Sequence, residues 1–257
     1  MKKFGIAFAA FVAVAGFGLV AKAAPIGTTL TLTTDSSLTV FVSTLGGATT
    51  GALTTAASGT ADVTFDDAAP PSSTIEITDA EVDLADGSIF LDLSLFGGVE
   101  AALIGAGINT LTTDAAALTE TAPLGNPFTS TFDPGAGTGL TASIDEGALT
   151  YNGTGALGGI LGMGTFDFAT DPLSFSLGSV GQIGLVTQSQ SGTLVDVTVS
   201  VPVSFSDQIA TDPVTIDVVV SGQLILTGSY IIPEPSTLVL LGLAGLGLVP
   251  VWRRIRK

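Results

Sequence analysis

The clearest pattern in the chain is an alternation of apolar and polar residues with a period of two between residues 195 and 220. Successive side chains of a β-strand point to opposite faces, so this period predicts two half-buried strands. The apolar positions are Val195, Val197, Val199, Val201, Val203 and Phe205 in the first run, and Val214, Ile216, Val218 and Val220 in the second.

Shorter apolar runs of the same kind recur between turn-forming pairs such as Asp86-Gly87 and Gly97-Gly98. Many short strands with such breaks predict an all-β fold, an antiparallel β-sandwich or jelly-roll-like body. Residues 97–164 are too rich in Gly and Ala for the pattern to place elements there. The runs are Leu30 to Thr33, Leu38 to Val42, Val63 to Phe65, Ile75 to Ile77, Ile89 to Leu95 and Leu224 to Leu226.

The N-terminus has the three parts of a secretory signal peptide. Lys2 and Lys3 precede an apolar run, which is followed by the small residues Ala21 and Ala23 at the −3 and −1 positions before Ala24. This order predicts a signal peptide over residues 1–23, cleaved by signal peptidase. An uncleaved N-terminal anchor is the alternative, although three glycines loosen the apolar run.

The C-terminus combines a proline-bounded motif, an apolar stretch and a basic end. Pro233, Glu234, Pro235, Ser236 and Thr237 come first, and the apolar stretch then runs from residue 238 to residue 252. Fifteen helical residues cover about 22 Å, against about 30 Å for a hydrocarbon core. The stretch is therefore a marginal membrane helix, and the basic cluster should hold its end in the cytoplasm. The cluster consists of Arg253, Arg254, Arg256 and Lys257.

These three parts, in this order, resemble the PEP-CTERM sorting domain over residues 232–257. The resemblance implies recognition by an exosortase, a membrane transpeptidase of Gram-negative bacteria that make exopolysaccharide. It implies transient anchoring by the tail, removal of the tail, and transfer of the body to the cell surface or extracellular matrix. The chain thus divides into a signal peptide (1–23), an acidic β-rich extracellular domain (24–231) and a sorting tail (232–257).

Charge is distributed unevenly along the chain. The seven basic residues lie at the two ends, and all 23 acidic residues lie between them. All acidic residues except Glu234 belong to the predicted body, and none of the basic residues does. Such a body repels nucleic acid and other polyanions, so we expect no nucleic-acid partner.

The residue types needed for most enzyme chemistry are missing. The chain has no His and no Cys. It therefore lacks the most common general base, the Ser-His-Asp relay and any thiolate nucleophile. Two carboxylates could still hydrolyse a glycoside, but the single Trp, Trp252, lies in the tail and cannot stack a sugar in the body. We therefore expect no enzymatic activity and no organic cofactor.

One acidic constellation suggests a metal. Asp79, Glu81 and Asp83 would share one face of a strand, and Asp86 would lie in the turn that follows. Carboxylate oxygens are the ligands that Ca²⁺ prefers, so a calcium site is one interpretation. A solvated acidic face without a metal is the other.

The sequence predicts an exported structural or adhesive component of a polysaccharide-rich biofilm matrix. Its expected partners are signal peptidase and exosortase during processing, and extracellular polysaccharide afterwards. The alternative hypothesis is a calcium-dependent carbohydrate-binding module.

Overall fold

The computed structural model describes residues 24–44, 49–92, 97–121, 125–135, 140–158, 162–177, 182–211 and 214–233. Within these ranges the chain forms fifteen β-strands and one 3-10 turn, Gly155–Leu157. The strands are β1 Ile26–Leu32, β2 Ser37–Thr44, β3 Thr49–Phe65, β4 Thr74–Leu84, β5 Gly87–Asp92, β6 Gly98–Thr112, β7 Ala116–Ala117, β8 Thr119–Glu120, β9 Phe128–Phe132, β10 Leu140–Thr154, β11 Met163–Asp167, β12 Leu173–Leu177, β13 Gly184–Ser191, β14 Leu194–Thr211 and β15 Val214–Ile231.

The strands belong to one sheet in which every pair described is antiparallel, which confirms the predicted fold class at the level of an antiparallel all-β protein. The main hydrogen-bonded path runs β11-β10-β6-β4-β3-β1-β15-β14-β13-β9-β8. Its longest hairpin is β14–β15, paired residue for residue from Leu194 opposite Ile231 to Thr211 opposite Val214. The alternating valines of β14 are buried, as predicted. Strand β15 continues through Gly222 and contains both the run from Val214 to Val220 and the run from Leu224 to Leu226, which the sequence pattern predicted separately.

Strands β1 and β2 act as one interrupted strand between β3 and β15. Both pair with β3 on one side and with β15 on the other. Between them, residues 33–36 bulge out of the ladder. The Thr33 N–H still donates to the Ile225 carbonyl at 2.8 Å, and the buried Ser36 side chain supplies the other contacts to Ile225. Its hydroxyl accepts a hydrogen bond from the Ile225 N–H and donates one to the Ile225 carbonyl. A side chain therefore closes the ladder at the bulge.

The sheet turns back on itself at the junction of β4 and β5. Strand β4 pairs with β3 along most of its length and with β6 at Val82 and Asp83, and β5 continues along β6 in the same register. The inward side chain of Ile89 on β5 then lies against Gly51 on β3, where an added Cβ would come within 2.4 Å of Ile89 Cγ2. Only a glycine permits this close approach, so the two halves of the sheet face each other here.

The core fills the space between the two halves. Leu38 of β2 and Val220 of β15 come from one half of the sheet, and Leu103 of β6 and Ile144 of β10 come from the other. All four side chains line the same apolar cavity. Burial of such side chains contributes about 1.5–3 kcal/mol each. Packing is thus the main source of stability in a chain without disulfides.

The Gly- and Ala-rich region that the pattern left unassigned contains β6 and β10, which pair with each other from Gly98 to Thr112. The register shifts where Gly105 (φ +57°) and Gly147 (φ +81°) meet, and a Cβ on Gly147 would lie 2.2 Å from the Gly105 carbonyl oxygen. These two glycines let the strands bulge while staying close.

Candidate functional site

The sorting tail begins directly at the end of the sheet. The N–H of Ile232 donates a hydrogen bond to the Thr193 carbonyl at 2.7 Å, and Pro233 follows, exposed. The remaining tail residues singled out above, Glu234, Pro235, Ser236, Thr237, Arg253, Arg254, Arg256 and Lys257, lie outside the described residues. The same holds for Ala21 and Ala23, while Ala24 is the first described residue and is exposed.

The structure places Asp79, Glu81 and Asp83 on one exposed face of β4, as the sequence predicted. Across the ladder, Asp79 lies opposite Asp62 of β3. The Asp62 carboxylate accepts a hydrogen bond from the Thr29 hydroxyl at 2.6 Å. The carboxylates of β4 thus extend toward a fourth acid on the neighbouring strand.

The remaining predicted ligand, Asp86, is turned toward β6. Its Oδ1 accepts a hydrogen bond from the Gly105 N–H at 2.7 Å. Among the described residues, no group of three or more acidic side chains lies in an arrangement that could hold a metal ion. Calcium binding by Asp79, Glu81, Asp83 and Asp86 therefore stays a prediction.

A row of threonines crosses the same outward face. Each member is the direct cross-strand partner of the next, so the side chains repeat at the strand spacing of about 4.8 Å. Glu81 continues the row on β4. From β3 to β9 the row consists of Thr60, Thr31, Thr227, Thr198, Thr187 and Thr129.

The outward face is rich in hydroxyl and carboxylate groups and has no positive charge, since the described residues include no Lys, Arg or His. Hydroxyls both donate and accept hydrogen bonds, whereas ionised carboxylates only accept. The face therefore presents both hydrogen-bond donors and acceptors to solvent, and its negative charge repels polyanions. Many carboxylates outside this face instead accept backbone N–H groups in turns, as Asp66 does from Ser73 and Thr74.

A buried polar cluster lies beneath the sheet, between β13, β15 and the loop after β3. Gln188 is 3% exposed, and its amide nitrogen donates to the Ser72 hydroxyl at 3.0 Å and to the Tyr230 hydroxyl at 3.1 Å. The Tyr230 ring also packs beside Phe65, with centroids 5.9 Å apart. Burial raises the pKa of Tyr230 to about 12, and the carboxylate of Asp67 adds to the rise. The cluster is neutral at physiological pH, which suits a structural role.

Sequence reasoning missed both this cluster and the threonine row. Gln188 follows the buried Val186 by two positions on β13, so alternation alone could have marked it as an inward polar residue. The threonine row has no such signal. Its members come from six strands, and only the register of the sheet brings them together.

A comparison with known families finds a sorting motif that starts where the sheet ends. Residues 232–257 match the family model of the PEP-CTERM protein-sorting motif. The motif confirms the predicted sorting tail and supports an exported protein that is processed by an exosortase. It implies export through the membrane to the cell surface in Gram-negative bacteria. No curated protein and no solved structure matches the chain.

Within the part of the chain that the structure describes, no helix has the length and apolar character needed to cross a membrane.

Proposed function

We infer that this protein is a non-enzymatic structural or adhesive component of the cell surface or extracellular matrix, associated with exopolysaccharide. Its body would be a sandwich-like domain released from the membrane when the tail is removed. The sorting motif supports the route. The observation that supports the role is the outward sheet face, which presents hydroxyl and carboxylate groups in register across several strands.

Such a face would adhere through many weak contacts. A single hydrogen bond contributes only about 0.5–1.5 kcal/mol net, because water competes for the same groups. Groups repeated at a regular spacing can engage a repeating polymer at several points, and linked contacts raise the overall affinity greatly. Adhesion by this route needs no catalytic residue and no cofactor.

The experiment follows the protein in the bacterium that makes it, with an antibody against the body. We expect the body in the matrix fraction of wild-type cells, and in the membrane fraction when the exosortase gene is deleted. Cells without the protein should form a weaker matrix, measured as biomass retained under flow. Unchanged retention would contradict the structural role, and a body found only in the membrane fraction would contradict the location.

A further inference from the structure

The outward face of β5, β6, β10 and β11 forms a shallow groove away from the threonine row. An open cleft of about 480 Å³ lies there between β6, β10 and β11. Two cross-strand rows form the groove and its rim, and each row has one side chain from each strand. Four strands at the usual spacing make each row about 14 Å long. The first row is Phe90, Glu100, Asn152 and Met163, and the second is Ser88, Ala102, Thr150 and Thr165.

One end of the groove has an exposed aromatic ring held against the sheet. Phe90 is 57% exposed, and its ring lies against Gly98, where an added Cβ would come within 2.5 Å of Phe90 Cζ. Gly98 itself is fixed by the Thr154 hydroxyl, which accepts from its N–H at 3.0 Å and donates to its carbonyl at 3.1 Å. One side of the ring is thus packed on the backbone, and the other is open for stacking.

The middle of the groove offers unused hydrogen-bonding groups. Among the described residues, neither the Glu100 carboxylate nor the Asn152 amide has a side-chain hydrogen-bond partner. The carboxylate accepts only, while the amide donates and accepts. Met163, 81% exposed at the other end, adds an apolar contact. Two apolar ends with polar groups between them suit a ligand that has both C–H faces and hydroxyl groups.

Charge selects among such ligands. The groove has a carboxylate, and no basic side chain occurs anywhere in the described residues. Uronic acids, sulfated sugars and nucleic acids would place a second negative charge beside Glu100 without a cation to offset it. A neutral sugar instead donates its hydroxyl protons to the carboxylate, in a charge-assisted hydrogen bond.

We propose that this groove binds a neutral glycan chain lying across the four strands, with one sugar ring stacked on Phe90 and hydroxyl groups bonded to Glu100 and Asn152. This proposal rests on the association with polysaccharide inferred above and names the class of polysaccharide and the site. Binding at the groove needs no metal ion, because Glu100 is the single carboxylate among the described residues that line the cleft.

The test is affinity electrophoresis of the purified body, residues 24–233, in gels containing a neutral polysaccharide or alginate. The neutral panel consists of dextran, mixed-linkage β-glucan, xyloglucan and galactomannan. We expect retardation by at least one neutral polymer, none by alginate, and no change with EDTA. Phe90→Ala and Asn152→Ala should each weaken binding about tenfold. The matched control is Phe41→Ala, since Phe41 is 43% exposed on β2, outside the groove.

Each result decides the proposal, provided that melting curves show all variants folded. Lack of retardation by the whole neutral panel would overturn it, as would loss of binding in EDTA or equal affinities for the Phe90 and Phe41 variants. Failure of the site is distinguishable from failure of the proposed role. Two results together would reject glycan binding at the groove and leave the proposed role intact. The purified wild-type body would bind no glycan, and a Phe90→Ala protein would still remain in the matrix and support biomass retention.

Discussion

The Ser36 hydroxyl oxygen lies 2.9 Å from the Ile225 nitrogen and 3.1 Å from the Ile225 carbonyl oxygen, so one side chain serves as the strand partner of one residue. Ser36 is 1% exposed, and water cannot easily take its place. Ser36→Ala should therefore lower the free energy of unfolding by about 1–3 kcal/mol, because it leaves the Ile225 N–H without its partner. The Ile225 carbonyl keeps the hydrogen bond from the Thr33 N–H. Urea denaturation measures the loss of stability.

The control for that experiment is Ser206→Ala, which changes an exposed serine on β14. Its urea midpoint should stay close to that of the wild type. Equal midpoints for the two variants would show that the ladder closes at the bulge without the Ser36 hydroxyl.

The buried Tyr230 predicts a loss of stability at alkaline pH. Its pKa is about 12 in the folded protein and about 10 when unfolded, because burial disfavours the phenolate. Below pH 10 both states keep the proton, and the contribution of Tyr230 is fully present. As pH rises from 10 to 12, only the unfolded state ionises, so stability falls by about 2–3 kcal/mol.

Melting temperatures measured from pH 8 to pH 12 test this. Tyr230→Phe should remove the part of the decline that belongs to this residue, although it also loses the bond from Gln188. Tyr151→Phe is the control and should retain the decline. A Tyr230→Phe protein with the wild-type slope above pH 10 would contradict the assignment.

The absence of basic residues from the body predicts stabilisation by salt. Repulsion among the carboxylates weakens the compact state, and the screening length is only about 10 Å at 0.1 M salt. We expect the melting temperature to rise with NaCl. If the carboxylates of β4 bind Ca²⁺, CaCl₂ should raise it further at matched ionic strength, and Asp79→Asn with Asp83→Asn should abolish the extra rise. Coincident melting curves in NaCl, MgCl₂ and CaCl₂ would reject specific calcium binding.

The signal-peptide pattern and the sorting motif together predict a mature protein that lacks both ends. It should begin at Ala24 and lose everything after the Pro233-Glu234-Pro235 region. Intact mass of the protein from the cell surface measures this directly, and a mass that still includes Arg253 to Lys257 would contradict it. Replacing Arg253 and Arg254 with neutral residues should impair membrane retention of the precursor, because the positive flank resists translocation.

The predictability of this fold depended on which residues formed each strand. In β14 the valines alternate with polar residues, so the inward face could be read from the sequence alone. In β6 and β10 the inward side chains include Ala101, Ala106 and Ala142, which are too small to stand out from an Ala-rich background. Those strands form because close packing and register favour them, and neither is visible in a local pattern.

The same limit applies to the sites. Asp79, Glu81 and Asp83 lie on one strand, and their shared face follows from the period of two. The groove residues Phe90 and Met163 are far apart in sequence and lie in one cross-strand row only because β5, β6, β10 and β11 pair in one register. Sequence reasoning could supply an exposed aromatic residue on a strand but not its neighbours.

The backbone hydrogen bond from Ile232 to Thr193 holds the chain to the sheet, so only a few residues separate the folded domain from the apolar stretch of the tail. Pro233 has no N–H, so the ladder cannot extend beyond Ile232. Six residue steps lead from Ile232 to Leu238, where the apolar stretch begins, and they span at most about 20 Å when fully extended. In a precursor whose tail is inserted in the bilayer, the folded domain would stand on a short tether close to the lipid headgroups. A protease that cuts at this tether must fit between the membrane and the folded domain. The space below β14 and β15 would therefore limit its access to the cleavage site.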